Sequence, residues 1–294
     1  MPEHPDLRFR ATVHYDGAAF HGWQSQSNGR TVQDRLEGAL EGLLGHRPRV
    51  RAAGRTDAGV HAAGQEIAFD APARWEAGEL RRALNAVTPE EIWIEKLRRA
   101  EADFHPRFDA RARRYEYLIA IGEEAESPVR AGRAWPLTRE VAEGTLTSVT
   151  RMLVGEHSFQ AFAKAGKPKR GTRCRVTEAR WMRTAAGDLV FRVVADRFLH
   201  RMVRYLVSTL VEAGTGRRAP GEVDRLLAGE PGVRPPTPAP ACGLYLTGVR
   251  YADGWNRPAG IPGVRIPDRT ERCAGRTGSW EEASKSAGEG GRAG

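Results

Sequence analysis

"LRFRATVHYDGAAFHGWQSQSNGRTVQDRLEGALEGLLG" (residues 7–45) changes its hydrophobic period once. Leu7, Phe9, Ala11, Val13 and Tyr15 alternate with other residues, the period-2 pattern of a strand with one face buried. Tyr15-Asp16-Gly17 then turns the chain. From Thr31 the period lengthens, and Val32, Leu36, Ala39/Leu40 and Leu43 form a helical stripe. Thr31 suits the N-cap, Asp34 the capping-box position and Gly45 the stop. A strand followed by a helix is the unit from which the rest of the chain is read.

Downstream, 49–53 and 65–71 read as strands flanking a loop, 77–87 as a helix and 92–99 as a strand. "FHPRFDARARRYEYLIAIG" (104–122) opens a second unit, with Tyr115, Tyr117, Ile119 and Ile121 alternating along a strand. A helix over 138–154, strands near 176–182 and 188–195, a helix over 198–214 and a short helix near 221–228 follow. A Pro-rich connector (232–241) leads to a last strand in "GLYLTGVRY" (243–251). The pattern predicts an α+β protein of two similar sandwich-like domains, 1–105 and 106–252, each a sheet with helices on one side. Residues 253–294 are poor in apolar side chains and are expected to be a disordered tail.

The formal net charge is +9 and the pI about 9.9, a balance that favours polyanionic partners through counterion release. Arg-rich proteins that bind no nucleic acid share that balance, so charge alone does not decide. No apolar run is long enough to span a bilayer and no apolar leader opens the chain, so no membrane partner and a cytoplasmic location are expected. Cys174, Cys242 and Cys273 are dispersed and odd in number, which argues against a disulfide framework or a zinc site. Walker, Rossmann, HExxH and G-x-S-x-G signatures are missing.

One loop stands out. "AAGRTDAGVHAAGQ" (52–65) sets a single carboxylate, Asp57, among small residues, with Arg55 before it and His61 after it. A bare Asp-Ala-Gly is ordinarily a turn. This loop is longer than a hairpin needs, and its Gly and Ala residues let a ligand approach the backbone. "ARRYEYLI" (112–119) places Tyr115 beside Arg113 and Arg114, where it serves either as core or as a base-stacking platform. In "FLHRMVRYLV" (198–207), His200 and Arg204 read as one helical turn apart on a polar face. Solvation is the plain reading of that face, and pairing of an Arg with a buried carboxylate is the alternative.

Taken in order, "YDGAAFHGWQ", "TVQDRLEGAL", "AAGRTDAGVHAAGQ", "FHPRFDARARRYEY", "HSFQAF", "FLHRMVRYLVSTL" and "GLYLTGVRY" resemble the tRNA pseudouridine synthase A family over about residues 7–251. The resemblance implies the pseudouridine synthase fold, with antiparallel sheets of two domains merging around a central basic cleft. It implies an isomerase that converts uridine to pseudouridine at positions 38, 39 and 40 of the tRNA anticodon stem-loop. A homodimer with no required cofactor or metal is also implied. Carried over residue by residue, Asp57 is the catalytic aspartate, Tyr115 stacks on the uracil and Arg204 pairs with the aspartate. Arg55 helps hold the target nucleotide out of the stack, and Leu244 walls the pocket. The carboxylate's role stays open among attack on C1′, addition to C6 and removal of the C2′ proton. Rival readings are a noncatalytic RNA-binding module, a glycoside hydrolase, which needs a second carboxylate, and a same-fold synthase with other target uridines.

Overall fold

The period-2 segment around Phe9 forms strand β1 (Asp6–Tyr15) in the computed structural model, which describes residues 6–27, 29–128, 132–164 and 171–266. It is followed by α1 (Val32–Leu44), β2 (Arg51–Ala52), β3 (His61–Pro72), α2 (Ala77–Val87) and β4 (Ile92–Arg99). The second half contributes β5 (Ala112–Ile121), β6 (Trp135–Leu137), α3 (Glu143–Arg151), β7 (Gly155–Ser158), β8 (Arg173–Arg183) and β9 (Leu189–Ala195). Then come α4 (Met202–Gly214), α5 (Gly221–Ala228), β10 (Leu244–Tyr251) and β11 (Gly254–Trp255). Helix α1 starts as its sequence dictates: the Thr31 hydroxyl accepts from Asp34 N, and Gly45 closes the helix at φ 80°.

All strands among the described residues join one mixed, mostly antiparallel sheet in the order β4-β1-β3-β10-β5-β9-β8-β7, with β2, β6 and β11 added beside β3, β5 and β10. The two halves therefore meet within a continuous sheet. The last long strand, β10, inserts between β3, to which it is parallel, and β5, to which it is antiparallel. Phe9, Ala11, Val13, Ile67 and Phe69 on one face share a core with Leu36 and Leu40 of α1. Tyr117, Ile119 and Phe191 belong to the same core, as do Val203 and Leu206 of α4. Each fully buried Leu or Phe of this layer contributes about 1.5–3 kcal/mol relative to exposure.

The opposite face carries charge, including two buried arginine–carboxylate pairs. Arg10 Nε donates to Glu66 Oε1 at 2.6 Å, Thr12 donates to Glu66 Oε2 at 2.9 Å, and Arg192 Nε donates to Glu116 at 2.7 Å.

The structure corrects three expectations about extent. The helix expected over 138–154 is confined to Glu143–Arg151. Its predicted first turn is spent on the run from β6 to Ala142, whose N–H donates to Gly214 O. Helix α4 starts at Met202 rather than 198, because Arg201 is left-handed (φ 63°) and breaks the helix behind it. The tail expected to be disordered from Asp253 is ordered at its start. Gly254–Trp255 pairs with β10, and Asn256 Nδ2 donates to Gly64 O at 3.1 Å and Glu66 Oε2 at 3.0 Å. Ile261 is buried. Mean composition hid three anchors, Trp255, Asn256 and Ile261, that give this segment enough contacts to offset its ordering entropy. Residues 267–294 of that tail lie outside the described residues.

Candidate active site

The loop between β2 and β3 is held from below before its carboxylate is aimed. Gln65 is fully buried and brackets Gly54: its Nε2 donates to Gly54 O at 2.7 Å, and Gly54 N donates back to Oε1 at 3.3 Å. The hydroxyls of Tyr15 and Thr56 share a hydrogen bond of 2.8 Å, and Trp23 N donates to Thr56 O at 3.0 Å. Trp23 is buried in the core. A turn closes from Val60 N to Asp57 O at 3.2 Å, with Gly59 at φ 77°, where a side chain would be strained. Gly17 backs this turn so closely that a Cβ there would lie 2.1 Å from Val60 O. The "YDG" and "GRTDAG" motifs are thus two sides of one packed backbone contact.

Asp57 points from this turn toward the start of α4. Its Oδ1 lies 3.1 Å from His200 Nε2, and its Oδ2 lies 3.5 Å from an Arg204 terminal nitrogen and 3.8 Å from Arg201 Nε. The carboxylate side chain is one-quarter exposed, so its ion pairs are only partly screened. Arg204 is the most enclosed of the three partners and is fixed independently. Its Nε donates to Ala239 O at 2.6 Å, and Ala239 N donates back to Arg204 O at 3.1 Å. The Pro-rich connector before β10 therefore sets the guanidinium. The positive end of the α4 dipole adds to the same field.

Tyr115 projects from β5 into the same cleft and is buried, its ring edge-on to Phe198 at 4.9 Å and 80°. Burial, opposed by Arg113 and reinforced by Asp57, pushes its hydroxyl up to about 12, so the group is a neutral phenol at physiological pH. Leu244 opens β10 and is buried on the cleft wall; Arg55 lies exposed on the loop and lines the cleft. Asp57, Tyr115, Arg55 and Leu244 thus border one cavity of about 1200 Å³, and Arg204 reaches Asp57 from behind it. Arg49, Arg51, Arg107, Arg111, Arg113 and Arg197 also border the cavity, against the acids Asp57 and Asp196. Asp196 is occupied: its Oδ1 accepts from Arg175 N at 2.9 Å and Arg197 N at 2.7 Å.

His200 and Arg201 carry no role in the sequence reading, which placed His200 on a solvated helical face. Because α4 starts at Met202, both sit in the lead-in turn and face Asp57. Arg201 is the only non-glycine at positive φ among the described residues, and its Nε is buried without a hydrogen-bond partner. Such strain costs about 1–3 kcal/mol and persists only where the surroundings impose it. The signal available in sequence was the clustering of His200, Arg201 and Arg204 immediately ahead of an apolar helix.

A sequence profile of the family described as tRNA pseudouridine synthase matches residues 11–109 and 149–252. The matched segments include Arg55, Asp57, Arg204 and Leu244, and Tyr115 falls between them. The tRNA pseudouridine synthase A of Pseudothermotoga lettingae is 37% identical over 244 residues, covering 83% of this chain and 99% of that protein. That of Geobacillus kaustophilus is 38% identical over 248 residues (84% and 95%), and that of Chlorobaculum tepidum 39% over 242 residues (81% and 96%). Because this likeness runs nearly the full length of the relatives and takes in both the Asp57 loop and the lead-in to α4, the chain belongs to the tRNA pseudouridine synthase A family.

Proposed function

We propose that this protein isomerises uridine to pseudouridine at positions 38, 39 and 40 of the tRNA anticodon stem-loop, as a homodimer, with Asp57 as the catalytic group. The observation that carries the reading is the environment of Asp57, a carboxylate faced by His200, Arg201 and Arg204 at the base of an arginine-lined cleft. A glycoside hydrolase of the usual kind needs two free carboxylates, and the cleft's other acid is bound to backbone N–H groups.

The reaction breaks N1–C1′, turns the uracil and joins C5 to C1′; C5 loses a proton and N1 gains one, so no cosubstrate is consumed. Arg201 and Arg204 face the Asp57 carboxylate at 3.8 and 3.5 Å, and all three routes open to it start from the carboxylate. The target base must leave its stack at a cost of roughly a few kcal/mol. Tyr115 recovers about 1–3 kcal/mol of that by stacking, and Arg55 occupies the space from which the nucleotide came. Leu244 excludes water from the turning base. Arginines along the walls hold phosphates and read the shape of the stem-loop. Among the described residues no helix is long and apolar enough to cross a membrane.

The test is direct. Purified protein is incubated with tRNA transcripts carrying uridine at 38, 39 or 40, and pseudouridine is mapped along the whole molecule. Product confined to those positions is expected. Product elsewhere refutes the positions, and none at all refutes the activity.

Tyr115 permits a finer measurement. Its neutral phenol can relay the C5 proton only by taking it up at oxygen as its own hydroxyl proton leaves, while its ring stacks. Tyr115→Phe is expected to leave KM within about twofold and to lower kcat by about 10²-fold, a modest general acid–base contribution. An unchanged kcat reduces Tyr115 to a stacking platform.

A further inference from the structure

Among the described residues the exposed large apolar side chains are Val87, Trp93, Phe108 and Val154, and of these only Phe108 borders the cleft that holds Asp57. Its side chain is two-thirds exposed. It does not dangle from a loose loop. Tyr251 donates to Pro106 O at 2.7 Å, Arg113 donates to Arg107 O at 2.7 Å, and Arg8 donates to Phe104 O at 2.7 Å. Asp109 closes the turn, accepting from His105 N at 2.8 Å and donating its own N–H to His105 O at 3.1 Å. The ring of Phe108 lies against that of His105, with centroids 4.3 Å apart and planes 37° from each other. His105 accepts from Arg107 N through Nδ1, and burial, followed by the charge of Arg51, holds its pKa below the usual value. The two rings are therefore a neutral aromatic pair on a rigid turn.

A ring held on a fixed turn offers apolar area whose covering by a partner is favourable. Its setting specifies the cover. Arg107 and Arg111, on the same turn, line the cleft, as do Arg49 and Arg51. An aromatic face framed by guanidinium groups matches a nucleobase framed by its phosphates. A protein partner with an apolar patch fits the ring but not the surrounding charge.

We propose that Phe108, supported by His105, is a stacking platform for an unpaired base of the RNA substrate, separate from the base taken by Tyr115. When one nucleotide is turned out, a neighbour loses a stacking partner, and Phe108 replaces it. This rests on the tRNA reading above and adds a second base-binding site to it.

The test uses the full chain with Phe108→Ala, Phe108→Leu and Phe108→Trp. Affinity for tRNA is measured over a salt series, and stacking is read separately from quenching of 2-aminopurine placed in the loop of an RNA hairpin. Phe108→Ala and Phe108→Leu are expected to weaken binding about 5- to 150-fold and to lose the quench. Phe108→Trp is expected to restore both. None of the three should change the slope of log affinity against log salt, because no charge is removed, whereas Arg107→Ala should lower it by about one. Wild-type affinity in Phe108→Ala overturns the platform. So does wild-type affinity in Phe108→Leu alone, which would mark an apolar contact without stacking. Wild-type protein that makes no pseudouridine but shows a Phe108-dependent quench refutes the isomerase reading and leaves the platform standing. Absence of any quench in the wild type refutes the platform.

Discussion

Asp57→Asn is expected to abolish pseudouridine formation, with a loss on the order of 10⁴-fold or more, as for removal of a group on which every chemical step depends. Asparagine fills the same volume and still accepts from His200 through Oδ1, so the turn held by Gln65 and Gly59 should persist. What changes is charge. His200, Arg201 and Arg204 lose the anion that they face. That costs about 1–2 kcal/mol of stability at a partly solvated site, a small shift in melting temperature. RNA affinity should stay level or rise, because one negative charge has left an arginine-lined cleft. Single-turnover assays with tRNA in excess of Kd, run beside a binding titration, separate the two quantities. A variant that binds and isomerises normally would remove Asp57 from the chemistry and favour a pure RNA-binding module.

The fold was legible where the hydrophobic period was long and clean. Residues 77–87 and 92–99 are α2 and β4 to the residue, and Thr31 and Gly45 cap α1 as read. Periodicity reports which side chains share a face. It carries no information on which strand lies beside which, so the insertion of β10 between β3 and β5 was invisible. Strand β7, four residues of Gly-Glu-His-Ser, has no apolar alternation and is defined only by its ladder with β8. At the site, the Asp57 loop announced itself by a lone acid among small residues. The lead-in to α4 misled for a local reason: "FLHRMVRYLV" fits a continuous helix, and only the left-handed Arg201 turns His200 away from that register. Strain imposed by tertiary contacts leaves no periodic trace.

Arg204→Ala is expected to lower kcat by about 10²- to 10³-fold, the usual cost of deleting one preorganised charge partner in a partly dry site. Two jobs meet in this guanidinium. One terminal nitrogen faces Asp57 at 3.5 Å, too long for a strong hydrogen bond but close enough for a field. The Nε meanwhile donates to Ala239 O at 2.6 Å and fixes the connector leading to Leu244. Alanine removes both, so the buried carbonyl loses its donor and the protein should be about 1–3 kcal/mol less stable, melting a few degrees lower. Arg204→Lys separates the jobs. Its ammonium keeps the charge but cannot span Ala239 and Asp57 as the planar fork does. It should recover part of the rate without full stability if charge near Asp57 is what matters, and stability without rate if the Ala239 tether is. Measuring kcat and melting temperature for both variants decides between these. Near-normal turnover in Arg204→Ala, with the protein folded, would show that His200 and Arg201 suffice as partners of the carboxylate and that Arg204 serves the connector alone.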